Sequence, residues 1–120
     1  MAATSSTAST AQIIERHNIA MGRRDLDQVL ADYAEQAVLI DPAGIHRGRE
    51  AIRGLFQGLF GSGLPLEPPS RQVIEGDFAY LVWSPPPGKP GRQGAETIVI
   101  RDGRIVAQTV AAFGPPPPHR

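Results

Sequence analysis

The stretch from Ile52 to Phe60 constrains this chain more than any other. Ile52, Leu55, Phe56, Leu59 and Phe60 recur at i, i+3, i+4, i+7 and i+8, which draws a wide apolar stripe along one side of a helix. Arg53, Gly54, Gln57 and Gly58 occupy the other side, and Gly61-Ser62-Gly63 ends the pattern. A stripe of that width has to be covered by another layer. The chain after it reads as strands, so the cover is expected to be a sheet.

Upstream, Ala11 to Met21 reads as a first helix: Ile13, Ile14, Ala20 and Met21 fall on one face and Gly22 supplies a stop. Asp25, with Gln28 as a capping-box partner, opens a second helix that runs through Leu26, Val29 and Leu30 to about Tyr33. Ala37 to Asp41 reads as a short strand, and a loop then carries Ile45-His46-Arg47-Gly48. Downstream the pattern changes. Leu66 to Glu75 is a strand interrupted by Pro68-Pro69, and Phe78 to Ser84 is another, with Tyr80 and Val82 on one face and Leu81 and Trp83 on the other. A proline-rich loop spans Pro85 to Gly94; Ala95 to Arg101 and Arg104 to Phe113 then flank the turn Asp102-Gly103. This order predicts an α+β fold, with three N-terminal helices packed on one face of a curved, mostly antiparallel sheet and a pocket at one end.

A chain of 120 residues suits one domain with a core of its own. Residues 1–10, rich in Ala, Ser and Thr, read as a disordered lead without the basic and apolar segments of a secretory signal. Residues 11–114 form the domain, and 115–120 an extended Pro-rich tail. Twelve basic and twelve acidic residues cancel, so no basic stripe marks a nucleic-acid surface. No apolar run approaches the length of a membrane span. The chain has no cysteine, which excludes thiolate nucleophiles, thiolate metal sites and disulfides and suits a reducing, cytoplasmic setting. His17, Asp41, His46 and Glu96 are of metal-ligating type, but no HxH or HxxxH spacing groups them and His46 is expected to be exposed in its loop; no metal and no cofactor is predicted.

Three polar residues stand on apolar faces. Asp41 ends its strand, and Pro42 keeps it extended and stops regular pairing. A carboxylate at the rim of a hydrophobic element can be desolvated into a usable base; the plainer alternative is that Asp-Pro opens a surface turn. His17 lies in the middle of the first helix's apolar stripe. It needs a cavity or, as the plainer alternative, a backbone carbonyl as partner. Glu96 shares a strand face with Ile98 and Ile100, a costly place unless it is bonded or protonated; the alternative is a frayed strand end in solvent.

The motifs Arg24-Asp25-Leu26-Asp27, Tyr33-Ala34-Glu35-Gln36-Ala37, Asp41-Pro42-Ala43-Gly44, Ile45-His46-Arg47-Gly48-Arg49-Glu50-Ala51-Ile52, Gly103-Arg104-Ile105-Val106 and Ala112-Phe113-Gly114 occur in an order that resembles the nuclear transport factor 2-like superfamily. Within it the likeness is to SnoaL-like proteins and bacterial ketosteroid isomerases. The resemblance implies a cystatin-like cone. It places Asp41 at the general base that moves a proton between two carbons, Glu96 at a protonated carboxyl of the oxyanion hole and His17 at the tyrosine beside it. Tyr33 matches a pocket tyrosine and Phe56 replaces another. Trp83 is expected to join Tyr33 and Phe56 as a wall of the pocket.

His17 and Glu96 can each donate one hydrogen bond when neutral. Alternatively they can pair as imidazolium and carboxylate, leaving the pocket to general acid–base chemistry. The leading expectation is a cofactor-independent enzyme acting on a small apolar or polycyclic molecule, with Asp41, His17 and Glu96 catalytic. Isomerase, polyketide-cyclase-like and epoxide-opening chemistries fit that set. A non-catalytic apolar-ligand module and a dimerisation domain are the alternatives. The resemblance also implies a homodimer through the outer sheet face.

Overall fold

Helix α1 (Thr10–Arg23) opens on a capping box, in which the Ser9 hydroxyl accepts from the Gln12 N–H and the Gln12 side chain accepts from the Ser9 N–H. The computed structural model describes residues 8–89 and 93–113. The expected lead up to residue 7 and the Pro-rich tail lie outside the described residues. α1 ends at Arg24, which takes the left-handed conformation (φ 54°) in place of the expected Gly22. The short helix α2 (Leu26–Ala31) is capped by Asp25, whose carboxylate accepts from the Gln28 N–H at 3.2 Å. Gly48 precedes α3 (Arg49–Gly61).

The six strands are β1 (Tyr33–Asp41), β2 (Gly44–Arg47), β3 (Pro69–Glu75), β4 (Phe78–Trp83), β5 (Gln93–Arg101) and β6 (Arg104–Phe113), in the order β2-β1-β6-β5-β4-β3. All neighbours are antiparallel except β1 and β6, which run parallel. Two expectations are corrected here. Ile45 to Arg47 is no loop: it pairs back on β1 as a hairpin, closed by the turn Asp41-Pro42-Ala43-Gly44. Tyr33 does not end α2; it starts β1, where its neighbour across the sheet is Ile105.

The helices cover the concave face. α1 packs across β3, β4 and β5, and α3 over β1 and β2. Ile13, Ile14, Val29, Leu30, Tyr33, Leu39, Ile52, Phe56, Leu81, Ile98 and Ile105 form the buried core. Leu55, Leu59 and Phe60 are half-buried at its edge. The register lays the concave face out in rows. Leu39, Gln108, Ile98 and Ala79 stand level across β1, β6, β5 and β4. In the next row Val110 stands level with Glu96 and Leu81. Asp41 lies one step beyond the Ile40–Thr109 pair, which brings it level with Val110 on the same face.

Candidate functional site

Burial and strand register gather a polar chain on this apolar face. Tyr33, fully buried, donates its hydroxyl proton to Oε1 of Gln108. Gln108, 3% exposed, donates from Nε2 to Oε1 of Glu96 at 2.6 Å. Burial pushes the Glu96 carboxyl up from its ordinary value, against the opposing bonds from Gln108 and the Trp83 side chain. Tyr33 is pushed well above its ordinary value, first by burial and then by the charge of Glu96. Gln108 thus passes a directed set of bonds from a phenol that keeps its proton to a carboxyl disposed to hold one.

His17 meets this chain from the helix side. It is 2% exposed, and its ring stands edge-on to Tyr33 with centroids 6.1 Å apart. Burial holds its pKa down at about 4, against the attraction of Asp32, so the ring is neutral at pH 7. Its Nδ1 is buried without a partner. His17 therefore has no carbonyl acceptor at Nδ1, and Glu96 takes its bond from Gln108. No hydrogen bond or ion pair joins His17 to Glu96 among the described residues. Phe56 packs on Tyr33 at 6.0 Å and is 5% exposed. Trp83 is half-buried, with its ring against the backbone of Gly94.

Asp41 stands apart from that chain, at the end of β1. Its Oδ1 accepts from the N–H groups of Ala43 at 3.0 Å and Gly44 at 3.2 Å, and lies 3.0 Å from His46 Nε2. It both opens the turn and sits half-buried on the concave side. His46, expected exposed, is half-buried against it. The structure brings Tyr33, Gln108, Glu96 and His17 together. It gives Asp41 no direct bond to any of them, only the shared row with Val110.

Sequence reasoning missed Gln108 and Asp32, and set His46 aside as an exposed loop residue. Gln108 had a signal: it has the parity of Val106, Val110 and Ala112, the otherwise apolar side of its strand beyond Arg104. Asp32 is buried and bonded to Arg16, and nothing in its flanking sequence marks it. A polar cleft of about 250 Å³ lies beside these two, lined also by Asp102 and Arg104. Within it Arg16 holds Asp32, and Arg104 reaches the Ala31 carbonyl at 3.4 Å. No group of three or more His, Asp or Glu side chains able to hold a metal forms among the described residues.

Residues 14–108 match the SnoaL-like domain. The chain belongs to the SnoaL-like family. Solved structures of similar fold agree on the superfamily. An NTF2-like protein of unknown function from Mesorhizobium loti superposes with a TM-score of 0.76 at 23% identity, covering 94% of this chain and 98% of that one. A SnoaL-like protein of unknown function from Burkholderia thailandensis gives 0.73 at 20% identity, covering 88% and 94%. A protein from Sinorhizobium meliloti, provisionally described as a polyketide cyclase, gives 0.72 at 24% identity, covering 82% and 93%. No curated protein sequence matches the chain. These likenesses establish the NTF2-like cone of the SnoaL-like family, on which many chemistries are built. No helix among the described residues is long and apolar enough to cross a membrane.

Proposed function

We propose that this SnoaL-like protein is a small-molecule enzyme that moves a proton on carbon by general acid–base catalysis, in the manner of ketosteroid isomerase. Asp41 is the base and Glu96 the acid. The observation that carries the reading is the state of Glu96: a carboxyl on an apolar face, one oxygen held by Gln108 and its pKa raised by burial. Such a group donates a hydrogen bond to an oxygen that gains charge as a neighbouring C–H bond breaks. Asp41 stands on the same face two strands away, with Val110 between. Two strand spacings, roughly 10 Å, match the length of a small substrate held between base and acid. The apolar setting, with Val110 between the two carboxyls and half-buried Trp83 beside Glu96, favours a small apolar or polycyclic molecule. Neutral His17 meets the polar chain from α1, edge-on to Tyr33.

Polyketide-cyclase chemistry is the second reading, favoured by the Sinorhizobium meliloti protein of similar fold. It uses the same first step, removal of a proton beside a carbonyl. Turnover of a panel of β,γ-enones, β-keto esters and epoxides separates these chemistries. Asp41→Asn is expected to lower kcat by on the order of a hundredfold or more, because the amide cannot accept the proton. Binding of panel members without any turnover would instead make the protein an apolar-ligand module.

A further inference from the structure

The Asp41 carboxylate is held at one oxygen only. Three groups converge on Oδ1: the N–H of Ala43, the N–H of Gly44 and the His46 ring at Nε2. No hydrogen bond among the described residues reaches Oδ2. The two backbone donors belong to the turn that Asp41 itself opens, so they come with any aspartate at this position. The third is different in kind. His46 lies on β2, level with Leu39 of β1, so its side chain shares the concave face with Leu39 and Asp41. The ring is half-buried and reaches five residues back to Asp41.

We propose that His46 is a positioning residue for Asp41: its Nε2–H completes the occupation of Oδ1, fixes the plane of the carboxylate and leaves Oδ2 as the oxygen that takes the proton from carbon. This inference rests on Asp41 being the base. The carboxylate accepts and the ring donates, so His46 carries a proton on Nε2. In the step itself the substrate C–H bond breaks, its electron pair stays with the substrate and is delocalised into the adjacent carbonyl, and the proton bonds to Oδ2. Return of that proton to a second carbon completes an isomerisation and restores the carboxylate. A base free to rotate about its side-chain torsions spends part of its time aimed away from the substrate. A third donor in a fixed ring removes that freedom, an effect on kcat more than on KM.

The test needs no natural substrate. 5-Nitrobenzisoxazole is opened by a single base: Oδ2 would take the ring proton, the C–H pair would form the nitrile, and the N–O bond would break to give a coloured phenolate. His46→Leu is expected to lower kcat for this probe on the order of tenfold with little change in KM. His46→Gln, which presents an amide N–H at the same reach, is expected to restore most of the loss. A His46→Leu protein with unchanged kcat, while Asp41→Asn is inactive, overturns the positioning role and leaves the base in place. An Asp41→Asn protein as active as wild type removes the base and the inference together. The second arm is independent of turnover: nitrogen NMR of the wild-type imidazoles is expected to show His46 protonated at Nε2, and to lose that preference in Asp41→Ala, which has no acceptor there. Finding His46 in the Nδ1–H form overturns the proposal whatever the probe does.

Discussion

His17 shows how one buried side chain can set the response of the whole domain to acid. The folded state holds its pKa at about 4, against 6.5 for an exposed histidine. The unfolded chain therefore binds more protons between those values, and stability falls as the pH is lowered through that window. The full effect, reached below pH 4, is roughly 3 kcal/mol. His17→Leu is expected to flatten the loss of stability between pH 6.5 and 4, as read from urea midpoints; the same acid slope in both proteins would show that the ring is not buried neutral. Glu96 has the opposite sign. Its pKa is raised from 4.5, so the folded state binds the proton more tightly, and that contribution is present below 4.5 and lost as the pH rises through the raised value. Glu96→Gln is expected to match wild type near pH 4 and to exceed it in stability at pH 8, with melting temperatures as the measurement. Both residues could be picked out from the sequence because each sits on an apolar face by simple periodicity. Their partners could not: Gln108 is 91 positions along from His17 in the chain, and only the strand register brings it between Tyr33 and Glu96.

Among the elements, those built from local signals were legible and those built from distant pairing were not. The α3 stripe, the Asp25 cap and the Asp102-Gly103 turn all stand where their spacing predicts. β1 is longer than its sequence suggests because Tyr33 to Gln36 contain little apolar alternation. What makes them a strand is the last strand, β6, lying alongside, with a register shift between Tyr33 and Val38. β2 is harder to read because it is a four-residue edge strand whose residues alternate between half-buried and exposed, none fully buried. The packing of β5 on β4 supplies a separate test. A methyl group on Gly94 would stand 2.5 Å from the Trp83 ring and 2.5 Å from the Ala111 carbonyl. Gly94→Ala is expected to cost about 1–3 kcal/mol by urea denaturation and to tilt Trp83, which its fluorescence would report. An unchanged midpoint and spectrum would mean that the indole moves aside freely.

For the whole molecule, the family was legible from ordered motifs, whereas the shape of its surfaces follows only from the register. Among the described residues the convex face carries no helix. Ile45, Ile40, Thr109, Thr97, Tyr80 and Val73 stand in one row across all six strands. The neighbouring row runs Arg47, Val38, Ala107, Val99, Phe78 and Glu75. Ile45, Phe78, Tyr80, Val73 and Ile40 are all exposed. Small side chains occupy the middle of both rows and large ones the flanks, which suits two convex faces meeting at their centres. A two-fold axis along the strands, between β5 and β6, would set Arg47 opposite the partner's Glu75 and would close the pair. The expected outcome is a dimer in sedimentation equilibrium at micromolar concentration, converted to monomer by Phe78→Glu and by Arg47→Glu. Combining Arg47→Glu with Glu75→Arg should restore it. A monomeric wild type would exclude the pairing.

The parallel neighbours β1 and β6 also impose an order of events on biosynthesis. β6 lies between the strand that starts the sheet and the strand made just before it. Until its residues leave the ribosome, β1 with β2 forms one hairpin and β3 to β5 another meander, with no strand to join them. Gln108, the bridge between Tyr33 and Glu96, is on that same strand. Until then the sheet stays in two parts that only the helices connect, with strand edges open to other partners, and the joining of the sheet and the completion of the polar chain are expected to come late and together.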